Sequence, residues 1–129
     1  QDTLKRLQNT YWTRMHVFPY SERPGTKALN IEPKVPNHII HRRAQELRDL
    51  SHERYVQSAL EQIGSHKKVM VLKNKARGAL GLSRDYWPVD FELDLPENFD
   101  GKEVDIQITG FDQSNTSRMD GFLKGHLIL

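Results

Sequence analysis

The chain has 129 residues, of which 36% are hydrophobic and 28% charged, with a formal net charge of +2 and no cysteine. Its mean hydropathy is −0.71, no run approaches the ~18 apolar residues of a membrane span, and no basic-then-apolar leader pattern is present. Without cysteine, this stretch cannot carry a disulfide scaffold, a thiolate zinc site, a cysteine-ligated iron–sulfur cluster or a thiol nucleophile.

The placement of charge says more than its sum. Residues 64–87 carry +5, through Lys67, Lys68, Lys73, Lys75, Arg77 and Arg84 against Asp85, whereas residues 88–112 carry −7. Two readings follow. Either the surface is polarised and a polyanion touches its basic side, or both blocks are solvated strand faces that neutralise each other.

In chain order, residues 15–18 (Met-His-Val-Phe) read as a short strand, and residues 19–26 as turn chemistry. Pro24 and Gly25 suit the two central positions of a type II turn. Residues 27–36 show no period, and Pro33 and Pro36 bar a helix there. A long helix is predicted next, with Asn37 as a good N-cap and Gly64 as a good C′ residue. Its ~26 residues without Pro or Gly would reach about 39 Å. Ile40, Ala44, Leu47 and Leu50 share one face, while Val56, Ala59, Leu60 and Ile63 share another, rotated by about 150°. The polar run Ser51-His52-Glu53-Arg54 marks the changeover. Such a helix packs on two bodies, or breaks near Ser51 into two helices.

Residues 64–129 read as β. Strands are predicted at 67–72, 79–82, 86–93, 104–109 and around 121–127, separated by turns at 74–78 and 96–101 and a polar loop at 112–117. Val89, Phe91, Leu93 and Leu95 alternate with Asp90, Glu92 and Asp94, a period of two that buries one face. Short strands at this spacing predict a fold that is mainly β with one long helix, its sheet closed into a small antiparallel barrel. Pro88 cannot donate to a ladder, so its strand should be an edge there or carry a bulge.

Catalytic machinery is not evident. His38 and His41 are spaced i, i+3 but lack a third ligand, and no Gly-rich phosphate loop or nucleophile elbow is present. The candidate site is a basic, aromatic patch of Lys73, Lys75, Arg77, Arg84, Tyr86 and Trp87. Neutralising phosphates with Lys/Arg while stacking bases on aromatic rings is how small barrels hold unpaired RNA. Against that, one of Tyr86 and Trp87 is expected to fill the core. Lys67 and Lys68 straddle their strand, so only one can face a ligand.

The run His16-Val-Phe-Pro-Tyr-Ser-Glu-Arg-Pro-Gly-Thr-Lys-Ala28, followed by Val35-Pro36 and the residues 43–51 (Arg-Ala-Gln-Glu-Leu-Arg-Asp-Leu-Ser), resembles the end of the radical-SAM barrel in tRNA methylthiotransferases. It is most similar to the MtaB-like branch, with MiaB and RimO as sister branches. Residues 81–89 (Gly-Leu-Ser-Arg-Asp-Tyr-Trp-Pro-Val) are similar to the Gly-x-Thr-x-Asn-Tyr-x-x-Val stretch of the TRAM domain, an OB-like RNA-binding barrel, with Ser83 and Asp85 in place of Thr and Asn. The resemblance implies three parts: a barrel remnant at 1–36, a linker helix at 37–63 and a TRAM barrel at 64–129. It also implies that the chain is the C-terminal part of a cytoplasmic enzyme that adds a methylthio group to threonylcarbamoyladenosine beside the anticodon. The implied cofactors, iron–sulfur clusters and S-adenosylmethionine, would be held by cysteines in N-terminal domains, leaving none for this part. Implied partners are the tRNA anticodon arm and those N-terminal domains, with no membrane. Tyr20, Ser21 and Arg23 would lie at the barrel mouth, facing cofactor or substrate, although Arg23 could equally anchor its turn. The alternative is a docking domain that braces the catalytic barrel and has no direct RNA role.

Overall fold

A computed structural model of the chain describes residues 2–72, 80–91, 95, 97–113 and 121–128. Its contacts divide it into two compact units, residues 1–55 and 56–129.

The first unit begins with helix α1 (Asp2–Gln8), continues through irregular chain and a 3-10 turn at Lys27–Asn30, and ends in helix α2 (Asn37–Gln62), which runs on into the second unit. The predicted strand at 15–18 is not formed: those residues are irregular, with no strand of this unit to pair with. Met15 instead finds its backbone partners in Ser51. The Ser51 hydroxyl accepts from the Met15 amide at 3.0 Å and donates to its carbonyl at 3.2 Å. A serine in mid-helix is therefore buried and fully used. Arg54, one turn further, donates to the carbonyls of Leu7, Gln8 and Thr10, closing the C-terminal end of α1. Its guanidinium lies 4.7 Å from the Trp12 ring centre, and Arg14 lies 5.4 Å from that of Tyr55. The turn at Pro24–Gly25 forms as expected, with Gly25 at φ 81° and the Thr26 amide donating to Arg23 O.

Helix α2 is unbroken, so the predicted break at Ser51 does not occur. Nor does the apolar face change sides as expected. Ala44, Ser51, Tyr55 and Ala59 are the buried positions, within an arc of about 80° at 100° per residue. Leu60 and Ile63, assigned to the second stripe, are 54% and 44% exposed. Ser51 and Tyr55 supply the continuity that a count of apolar residues misses. The first free amides of α2, at Ile39 and Ile40, donate to Pro36 O, and Gly64 at φ 89° ends the helix as predicted.

In the second unit five strands close into a barrel: β1 (His66–Leu72), β2 (Leu80–Ser83), β3 (Pro88–Phe91), β4 (Glu103–Asp112) and β5 (Phe122–Leu127), in the order β1-β2-β3-β5-β4 and back to β1. Every pair is antiparallel except β3 with β5, a correction to the all-antiparallel expectation. Pro88 is the first residue of β3 and sits opposite Leu82, one position before the β5 pairing begins at Val89 and Leu123. Its missing donor therefore costs no ladder bond. β4, the longest strand, serves both neighbours, and a bulge between Ile108 and Gly110 lets it curve around the barrel.

The interior is filled by Val69, Val71, Val89, Phe91, Ile106, Ile108 and Leu123. It is narrow enough that two wall positions must be glycine. A Cβ on Gly81 would strike Val69 and Phe91, and one on Gly125 would lie 2.5 Å from Ile106 Cγ2 and 2.7 Å from Gln107 O. Gly125→Ala should lower stability by about 1–3 kcal/mol in urea or thermal unfolding, since a close backbone oxygen cannot yield as a side chain can. Ser51→Ala, which strips Met15 of both backbone partners, should cost a similar ~1–3 kcal/mol in the same measurement.

Candidate nucleic-acid interface

The turn between β2 and β3 is built on Ser83. Its amide donates to Trp87 O at 2.9 Å, and its carbonyl accepts from the Tyr86 amide at 3.0 Å. Its hydroxyl accepts from the Trp87 amide at 2.8 Å and donates to Asp85 Oδ1 at 2.5 Å. Lys67, which β1's alternation points inward, reaches the other Asp85 oxygen at 2.6 Å. Lys67 is only 10% exposed along its side chain, so this ion pair seals one end of the barrel. Lys68, on the outward face, pairs with Asp105 at 3.0 Å, in keeping with the expectation that only one of the two lysines faces out.

Burial pushes the Asp85 carboxyl up, but hydrogen bonds from Lys67 and Ser83, together with the Lys67 charge, outweigh it and hold the group below the usual carboxylate range. Arg84 clasps Glu103 through both of its forks, Nε to Oε2 at 2.9 Å and Nη2 to Oε1 at 2.7 Å. That hydrogen-bonded pairing raises the Arg84 pKa and lowers that of Glu103.

The two aromatics of the predicted patch part company here. Trp87 is 7% exposed and belongs to the core, the one of the two expected to fill it, so its ring is not offered to solvent as a member of the patch. Tyr86 is 81% exposed and has φ 66°, the left-handed region that non-glycine residues enter at a cost of about 1–2 kcal/mol. The cost is offset by the Ser83, Asp85 and Lys67 bonds on either side of it. Lys73, Lys75 and Arg77 lie outside the described residues. The strand ends that flank them, Leu72 and Leu80, pair at the opposite end of the β1–β2 ladder from Val69 and Ser83.

The charge blocks meet face to face. β4 carries Glu103 and Asp105 alongside β1, where they take up Arg84 and Lys68. For these described residues the mutual-neutralisation reading is the one realised.

In the first unit, Tyr20 and Ser21 line an open groove of about 890 Å³, with Phe18, Ile31, Val35, Ile40 and Leu47 among its apolar walls. Arg23 does not line it; its carbonyl anchors the turn by accepting from the Thr26 amide and hydroxyl, at 3.4 and 2.8 Å. Among the described residues no group of three or more His, Asp or Glu is placed to hold a metal ion. With no cysteine in the chain, its residues do not fit an iron–sulfur cluster. Sequence reasoning missed Lys67 and Ser83 as the pieces that set this turn. The signal was present in the period of two, which places both on the inward face.

A closed barrel of five short strands with one long helix places the second unit in the small, OB-like class. No family model matches the chain. Among curated proteins it is 28% identical over 93 residues to a threonylcarbamoyladenosine tRNA methylthiotransferase of Chlamydia pneumoniae, covering 72% of this chain and 22% of that protein. It is 34% identical over 70 residues to the Aquifex aeolicus protein of the same name, covering 54% and 16%. It is 33% identical over 130 aligned positions to a tRNA-2-methylthio-N(6)-dimethylallyladenosine synthase of Aliarcobacter butzleri, covering 98% and 28%. The chain is a homologue of the MiaB/RimO-like tRNA methylthiotransferases and spans about a quarter or less of the length of most of these relatives.

The Asp85 pairing has a pH signature. Because the folded-state pKa lies below the unfolded value of about 3.9, the stabilisation is present at neutral pH and lost as pH falls through the folded value. Asp85→Asn should therefore lower the melting temperature at pH 7, and the gap to wild type should narrow as pH falls through the folded value of Asp85.

Proposed function

We propose that this chain is the tRNA-holding part of a methylthiotransferase that acts on a modified adenosine beside the anticodon, of the MtaB-like branch that works on threonylcarbamoyladenosine. The observation that carries the reading is the match to the Aliarcobacter butzleri enzyme along 98% of the chain, which includes the whole barrel. The MtaB-like assignment is supported by the two threonylcarbamoyladenosine enzymes among the relatives, although other relatives act on dimethylallyladenosine by name. In this reading the chain is the C-terminal part of the enzyme. Residues 1–36 complete the catalytic barrel, the helix over 37–63 is the linker, and residues 64–129 are a TRAM-like barrel gripping the anticodon arm.

Contact with RNA would fall to Tyr86, Arg84 and the basic residues Lys73, Lys75 and Arg77. Arg84 would have to share its guanidinium between Glu103 and a phosphate, as its exposed side permits. The chain supplies binding and orientation only.

A second reading, a brace for the catalytic domain without RNA contact, draws on the exposed Met70 and Leu72 of β1 and on the carboxylate partners of Lys67, Lys68 and Arg84. Titration of the chain with an anticodon stem-loop across a salt series separates the two. The RNA reading expects weak binding whose log K falls with log salt at a slope near −3, about four phosphates at −0.7 each. Reversing Lys73, Lys75, Arg77 and Arg84 to Glu should abolish it. A flat salt response, or unchanged binding by the charge-reversed chain, favours the brace.

A further inference from the structure

Tyr86 stands out on the barrel surface because nothing in the packing calls for its ring. It is 81% exposed, its neighbour Trp87 fills the core, and its φ of 66° is one that Gly or Asn would adopt more readily. The turn that carries it is nonetheless densely hydrogen-bonded. Ser83 uses amide, carbonyl and hydroxyl on Trp87, Tyr86 and Asp85, and Lys67 anchors Asp85 from inside the barrel mouth. An aromatic ring on a fixed turn has few torsions to lose, so it can offer a flat apolar face at small entropic cost. Exposed and carried on this turn, it suits a ligand that is flat and apolar on its faces.

We propose that Tyr86 is a stacking platform for one unpaired RNA base, and that Lys67, Asp85 and Ser83 are positioning residues that hold it outward. This rests on the RNA-binding reading above and deepens it. The ligand class is a loop or single-stranded nucleotide, not a paired helix, because a duplex presents its bases already stacked and leaves no face for the ring. The role of the Lys67–Asp85 pair is then to fix the backbone on both sides of the ring, acting on the base only through Tyr86.

The test measures fluorescence anisotropy of the whole chain with an anticodon stem-loop RNA and with a fully paired RNA of equal length. Tyr86→Asn keeps the left-handed turn and removes the ring; it should weaken stem-loop binding by about 5- to 100-fold, leave the salt slope unchanged and leave duplex binding as it was. Tyr86→Phe should bind as wild type. Asp85→Asn and Lys67→Met should each weaken stem-loop binding by about threefold, and Lys67→Arg should restore it. The loss from Asp85→Asn should vanish in the Tyr86→Asn background, since a positioning residue has nothing left to position there. Equal stem-loop affinity of Tyr86→Asn and wild type would overturn the stacking role while the RNA reading stood. Equal losses from Asp85→Asn with and without the ring would overturn the positioning role. A wild-type chain that binds neither RNA would overturn the RNA reading and the platform with it.

Discussion

The width of the barrel interior governs most of what the second unit does. Five strands enclose room for little more than Val69, Val71, Val89, Ile106, Ile108 and Leu123, and at Gly81 and Gly125 the wall itself has no space for a Cβ. Trp87 and Phe91 are buried with them. Tyr86 faces solvent from a left-handed backbone. Lys67 faces inward where the apolar filling ends, so it needs a carboxylate, and Asp85 supplies one from the same turn. A packing limit in the core thus sets the charge pair at the rim.

The charge pattern takes on a different meaning once β4 lies beside β1. Two adjacent blocks of opposite sign in the sequence resemble a polarised surface, yet the pairing register places Asp105 against Lys68 and brings Glu103 to Arg84. Exposed pairs of this kind add little to stability, but they cancel the local field that would draw a polyanion over long range. What remains for recognition at the β2–β3 end is shape and a ring face.

The strands were legible in the sequence because their signal is local. The alternation of Val89 and Phe91 with Asp90 predicts both the strand and its inward face. The ends of α2 were legible for the same reason, since Pro36 and Gly64 act on their own neighbours. The features that escaped depend on distant partners. Helix α1 is closed by Arg54, 46 residues beyond Gln8, and residues 15–18 look like a strand but find Ser51 where a strand partner would be. At the candidate site, spacing pointed to Arg84, Tyr86 and Trp87, but not to the Glu103 carboxylate, 19 residues beyond Arg84, that takes up its guanidinium. Which of two adjacent aromatics turns inward is a matter of the core they pack against, and no local pattern carries that information.

The one parallel pairing in the barrel joins β3 to β5, the last strand in the chain. During synthesis the β1–β2–β3 meander can form early, but both β3 and β4 keep an unpaired edge until Phe122–Leu127 has been made and can slot between them. The ribosome-bound intermediate is therefore an open sheet with two free margins, the state in which a nascent chain is most apt to pair with the wrong partner or recruit a chaperone.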